Sequence, residues 1–180
     1  MKFGVLDYSA ASQPVLTYRA VGTIADPVST AVMSGTQGSV PTLVPLRIPA
    51  GLLSVGSKIV MQLKVRRVGT AQADVLYIRF GRTGGTSDAV MFTSTFPTTT
   101  SPMPAVVELD IDVTGDTTYL ASWFRAINNV GFAGACNEIV DATMVHSEDL
   151  FLAVTYTTAA SSADSFQLLE YDVQVYGVTP

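Results

Sequence analysis

An all-β fold is the prediction from this sequence: an antiparallel sandwich of the jelly-roll kind with an extended N-terminal arm. Three observations lead to it. Several segments carry apolar residues at every second position, as in Ser57–Arg67 and Ala105–Val113, the period of a strand with one wet and one dry face. No stripe of period 3.6 lasts beyond two turns, which leaves no amphipathic helix. Turn-forming Gly, Pro, Ser, Thr and Asp recur between the alternating segments at the spacing of a sandwich or barrel.

Taken in order, residues 1–45 mix short β-like pieces (Val15–Val21 and Pro41–Pro45) with Gly, Ser, Thr and Pro. They read as an arm with one or two strands. Residues 46–180 form the sandwich, and the whole is effectively one domain. In Ser57–Arg67, Ile59, Met61, Leu63 and Val65 share one face and Lys58, Gln62, Lys64 and Arg66 the other. Val68–Asp74 reads as a turn, and Val75–Phe80 repeats the alternation, so the two segments are predicted to form a hairpin. Gly81–Asp88 is a glycine loop and Ala89–Thr95 a short strand. Phe96–Pro104 is a loop because proline cannot donate to a ladder. Ala105–Val113 sets Val107, Leu109, Ile111 and Val113 against Glu108, Asp110 and Asp112. Thr118–Ile127 fits a strand or a buried helical turn, and Asn128–Asp149 reads as irregular. Leu150–Thr158 and Phe166–Val178 are the last strands.

Composition bounds the function. Of 180 residues, 48% are hydrophobic and 14% charged, against about a quarter charged in an average domain. Such a chain buries much of its surface, in part against copies of itself. The net charge is −5, and Arg66-Arg67 is the largest basic run, so the footprint of a nucleic-acid binder is missing. An anionic membrane is disfavoured for the same reason. No apolar window is long enough to span a bilayer, and the N-terminus lacks the pattern of a signal peptide. A single cysteine, Cys136, excludes an intrachain disulfide and suits a reducing cytoplasm.

Candidate chemistry is sparse. His146, the one histidine, could serve a Ser–His–Asp set, but no G-x-S-x-G elbow accompanies it; a loop or interface histidine is the plainer reading. Cys136 sits among glycine and alanine and reads as a buried, inert thiol. Asp110, Asp112, Thr114 and Gly115 match the first half of an EF-hand loop, while position twelve is Ala121, so a cation held by Asp110, Asp112 and Asp116 competes with a simple solvent-facing row of carboxylates. Gly81–Gly85 lacks the Lys-Ser/Thr of a phosphate loop. Tyr119, Trp123, Phe124 and Phe132 offer rings for a sugar platform or for the core. A hydrolase or lyase would need acids converging in a cleft, such as Glu108 and Asp110 with Glu138 or Asp141.

One stretch adds a resemblance. "IPAGLLSVGSKIVMQLKVRRVGT" followed by "VLYIRFGRTGGT" resembles a pattern in jelly-roll structural proteins of bacteriophage particles: capsid decoration (cement) proteins, head fibres and tail appendages. Its marks are Ile48, Pro49, Gly51 and Gly56 before the first strand, and Arg79 and Gly81 at the end of the second. The resemblance implies a non-enzymatic virion protein with no cofactor, made in the host cytoplasm and assembled on the particle. It further implies a homotrimer on the major capsid protein or other virion proteins. The alternative is a tail or head-fibre appendage that binds a host receptor or glycan; an enzyme acting on polysaccharide is a remote third. With no coiled-coil stalk or second anchoring domain in view, the head is favoured over the tail.

Overall fold

The structure is a computed structural model that describes residues 13–32, 42–68, 74–96, 103–127, 133–157 and 165–177. Twelve strands run in order: β1 (Leu16–Val21), β2 (Ser29–Val32), β3 (Thr42–Ile48), β4 (Lys58–Val68), β5 (Val75–Gly81), β6 (Ala89–Thr95), β7 (Met103–Gly115), β8 (Thr118–Ile127), β9 (Ala133–Cys136), β10 (Glu138–Val140), β11 (Leu150–Thr157) and β12 (Ser165–Tyr176). No helix occurs among the described residues.

The strands make two antiparallel sheets. The larger has the order β1-β12-β4-β7-β8-β10, with β2 also paired to β12, and the smaller the order β3-β11-β5-β6-β9. The β1/β2-β12-β4-β7 and β3-β11-β5-β6 halves are the two interleaved four-stranded sheets of a jelly roll. Strands β8 and β10 widen one sheet and β9 the other.

Alternation dictates the core. On β4, Ile59, Met61, Leu63 and Val65 are buried, and β7 supplies Val107, Leu109, Ile111 and Val113 beside them. From the opposite sheet come Leu76, Ile78 and Phe80 of β5 and Leu150, Leu152, Val154 and Tyr156 of β11. These are the inward sets that the period of two assigns. Thr118–Ile127 is a strand throughout.

The expected hairpin is corrected. β4 and β5 do not form a hairpin: β4 pairs with β12 and β7, while β5 pairs with β11 and β6. The chain crosses the sandwich between Val68 and Val75. Period-two alternation names the buried face of a strand but not its sheet, because both sheets turn an apolar face to the same core. The crossing is marked by a buried ion pair, Arg67 Nη1 to Asp74 Oδ2 at 3.4 Å.

The segment to residue 45, where it is described, carries β1, β2 and the start of β3. β1 lies along β12 from Leu16↔Val175 to Val21↔Glu170, and β2 pairs with the start of the same strand. β3 runs through the expected boundary and pairs with β11. Inside Asn128–Asp149, expected to be irregular, the short strands β9 and β10 occur.

Candidate functional site

The residues of the resemblance gather at one end of the sandwich, where β3 turns into β4. Ile48 closes β3 in the core, and Leu53 plugs the corner from above. Gly51 and Gly56 take φ of +75° and +93°, a backbone that costs other residues about 1–2 kcal/mol. Their amides are anchored: Gly51 N–H donates to His146 O at 2.6 Å and Gly56 N–H to Val113 O at 2.8 Å. The Asp149 carboxylate fastens the same corner by accepting from Arg47 Nε at 2.7 Å, Arg47 Nη2 at 3.1 Å and Ala50 N at 3.0 Å.

The Arg47 hydrogen bonds, followed by that of Ala50, hold the Asp149 carboxyl below its ordinary pKa. A depressed carboxylate contributes its stability in full above the unfolded value of about 4 and loses it as pH falls through the folded one. The melting temperature is therefore expected to fall with acidification below about pH 4, and Asp149→Asn to flatten that limb. Thermal melts across this range check it; an unchanged limb in the variant would remove the corner clamp from the acid response.

The Gly81–Asp88 loop lies beside this corner. Its organiser is Asp88, 7% exposed, which accepts from Thr83 N and Oγ1, Gly84 N and Gly85 N. Arg79 completes the loop by donating Nη1 to Asp88 O at 2.9 Å and Nε to Thr155 Oγ1 at 3.1 Å, with its guanidinium 5.1 Å from the Tyr77 ring centroid. A Cβ at Gly81 would fall 2.5 Å from Asp88 Oδ1, so the resemblance's glycine is needed for close approach. Gly81→Ala is expected to cost about 1–3 kcal/mol by overpacking. Urea unfolding measures it, and a cost under about 0.5 kcal/mol would mean that the loop shifts freely.

Between this loop and residues 141–149 runs an open groove of about 650 Å³, lined by Arg82, Thr83, Ser87, Asp141, Thr143 and Glu148 among others. A second hollow of about 750 Å³ along Cys136–Ala142 adjoins it and shares Ala89 and Asp141. Arg82 Nη2 meets Glu148 Oε2 at 2.5 Å. Asp141 accepts from Thr143 N and Oγ1 at 2.8 and 2.7 Å, which lowers its pKa. The trough thus presents fixed carboxylates and hydroxyls, with Phe151 among its walls. Such a lining can bind polar ligands.

The other candidates disperse. Lys58 Nζ lies 2.7 Å from Asp110 Oδ2 and 3.9 Å from Asp112 Oδ1, so an ammonium sits where a cation was considered; Asp116 is exposed. Among the described residues no three His, Cys, Asp or Glu are grouped to hold a metal ion. His146 stands edge-on to Tyr119, ring centroids 5.8 Å apart, and its Nε2 has no hydrogen-bond partner among the described residues, so no serine is held for a triad. Cys136 is half-buried opposite Phe92.

Tyr119, offered as part of a sugar platform, is core instead. It is fully buried, its hydroxyl donates to Met144 O at 3.0 Å, and burial pushes its pKa up to about 12. Trp123 lies across from Leu109 on β8, which also carries Phe124, and Phe132 falls outside the described residues. The acids of the hydrolase reading do not converge. Glu108 accepts from Gln62 and Asp110 pairs with Lys58, while Glu138 and Asp141 line the second hollow.

No protein-family model matches the chain, and no curated protein matches it. Solved structures with a similar course include lectin UEA-II complexed with galactose, with 8% identity and a TM-score of 0.48 over 91% of this chain and 100% of that one. The Emp47p carbohydrate recognition domain has 13% identity and a TM-score of 0.43, over 92% of this chain and 90% of that one. The seed lectin of Lotus tetragonolobus has 8% and 0.46, over 92% and 100%. At this distance these are likenesses between β-sandwiches, and they carry no argument about ligands.

Proposed function

We propose that the chain is a non-enzymatic structural protein of a bacteriophage particle, a trimeric decoration (cement) protein seated on the major capsid protein. The observation that carries this reading is the use made of the residues behind the resemblance. Ile48, Pro49, Gly51 and Gly56 go into one corner of the sandwich, and Arg79 and Gly81 into the adjoining loop. They are the parts of a rigid building block, and none of them stands as a reactive group. The low charge of the chain fits burial against neighbours.

Quantitative mass spectrometry of purified particles tests it. A copy number near that of the major capsid protein is expected. Absence from particles overturns the proposal.

The polar trough favours a second reading, an appendage that binds a host glycan through its carboxylates and hydroxyls. It predicts a few copies per hundred capsid subunits. It also predicts glycan binding by calorimetry that Thr143→Ala and Arg82→Ala both weaken. A full panel of surface glycans without heat of binding removes it.

A further inference from the structure

Four strand edges close the two sheets, and they differ in how they are protected. β9 and β10 are short, at four and three residues. β3 carries Pro45, which has no N–H to offer. The fourth edge is shared by β2 and β1, and β1, Leu-Thr-Tyr-Arg-Ala-Val, has no proline, no lysine and no register shift against β12. Its one charge, Arg19, reaches back to Asp172 at 3.8 Å. No described strand pairs with its outer side. A strand left in this state is a template for another strand.

Three of the six exposed large hydrophobics among the described residues flank the same edge. Val15, Val21 and Ile24 are 53%, 64% and 60% exposed. The bond from Gly22 N–H to Leu169 O sets the alternation of the β1–β12 ladder. Even-numbered residues of β1 therefore bond to β12, and Thr17, Arg19 and Val21 turn their N–H and C=O groups outward; Val15, just before the strand, donates its N–H to Val175 O at 2.8 Å and offers a neighbour only its side chain.

We infer that β1 pairs antiparallel with β1 of a second copy, on a two-fold axis at Tyr18, joining two of the larger sheets into one. The sequence of the strand selects both the partner and the register. Centred on Tyr18, Val15 lies opposite Val21 on both sides of the axis, Leu16 opposite Ala20 and Thr17 opposite Arg19. Each exposed valine gains an apolar partner and no like charges meet. Moving the axis to Arg19 sets Arg19 against its own copy. Moving it to Thr17 sets Arg19 against Val15 and leaves Val21 facing Gln13. A two-fold contact needs a self-complementary patch, and this register supplies one. The contact goes beyond the trimeric reading and is independent of it, because it joins two copies whatever each already belongs to.

Thr17→Pro tests the contact in the full chain. The N–H it removes points away from β12, so the fold's own ladder is untouched, which circular dichroism checks. Light scattering on a sizing column is expected to give an even-numbered wild-type assembly, and half its mass for the variant. An odd-numbered or monomeric wild type at about 100 µM, or an undiminished folded variant, overturns the inference. If the variant does not fold, disulfide trapping decides. Chains bearing Thr17→Cys are mixed with chains bearing Arg19→Cys and oxidised. A 17–19 bridge between chains is expected; its absence, or 19–19 bridges in its place, overturns the register and the inference. The particle copy number is unaffected by any of these outcomes, so the two proposals fail separately.

Discussion

Asp74→Ala is expected to destabilise the fold by about 3–5 kcal/mol, read as a lowered urea midpoint. The reason lies where the chain crosses between sheets. Arg67 and Asp74 face each other at 3.4 Å with both side chains fully buried. Arg67 also lies 6.0 Å from the centroid of the Phe96 ring. Removing the carboxylate takes the counter-charge at 3.4 Å from a fully buried guanidinium, and breaking a buried pair from one side is among the most costly changes to a core. Replacing both partners, as Arg67→Met with Asp74→Leu, removes the charges together and is expected to be neutral or stabilising by about 1–4 kcal/mol. A single variant that costs under about 1 kcal/mol would mean that water reaches the pair.

Phe166→Ala is expected to cost a similar 3–5 kcal/mol, through a cavity instead of a charge. Phe166 is fully buried, 5.0 Å from Phe96 in an edge-on contact and 4.3 Å from Tyr156. In the ladder between β12 and β4 it lies directly opposite Arg67. The aromatic group and the ion pair are therefore one cluster. The Phe166→Ala and Asp74→Ala costs should not add: a double-mutant cycle is expected to give a coupling of about 0.5–3 kcal/mol. Independent costs would separate the two features despite their contact.

The sequence made the strands legible where a single face is dry. Ser57–Arg67 and Ala105–Val113 announce their inward residues by alternation alone, and the structure buries those residues. Pairing was less legible. A six-residue link between Val68 and Val75 suits a hairpin as well as a crossing. What decides is the pairing of β5 with β11, more than seventy residues downstream, and no local pattern encodes it.

The site divides in the same way. Pro49, Gly51 and Gly56 mark a fixed turn on sight, because each residue type restricts or frees the backbone at its own position. Asp88 at the end of "GRTGGTSD" could have been read as the acceptor for its own loop amides, since Asp and Asn bind nearby backbone in this manner. Arg47 with Asp149 and Arg82 with Glu148 could not, as these pairs join distant segments. Tyr119 misled for a different reason. Tyrosine serves equally as a surface ring and as a core ring with one buried hydroxyl bond, and only its inward register on β8 decides between them.

The place of β12 has a consequence for how the chain is made. β12 lies between β1 and β2 on one side and β4 on the other. On the ribosome, the first two strands have no partner in their sheet until residues 165–176 emerge. Those two strands therefore stay unpaired in their sheet while β3 to β11 are being made. Closing such distant contacts is slow, so the larger sheet forms late, once β12 is available. A chaperone that shields the early strands would set the yield of native protein more than the stability of the finished sandwich does.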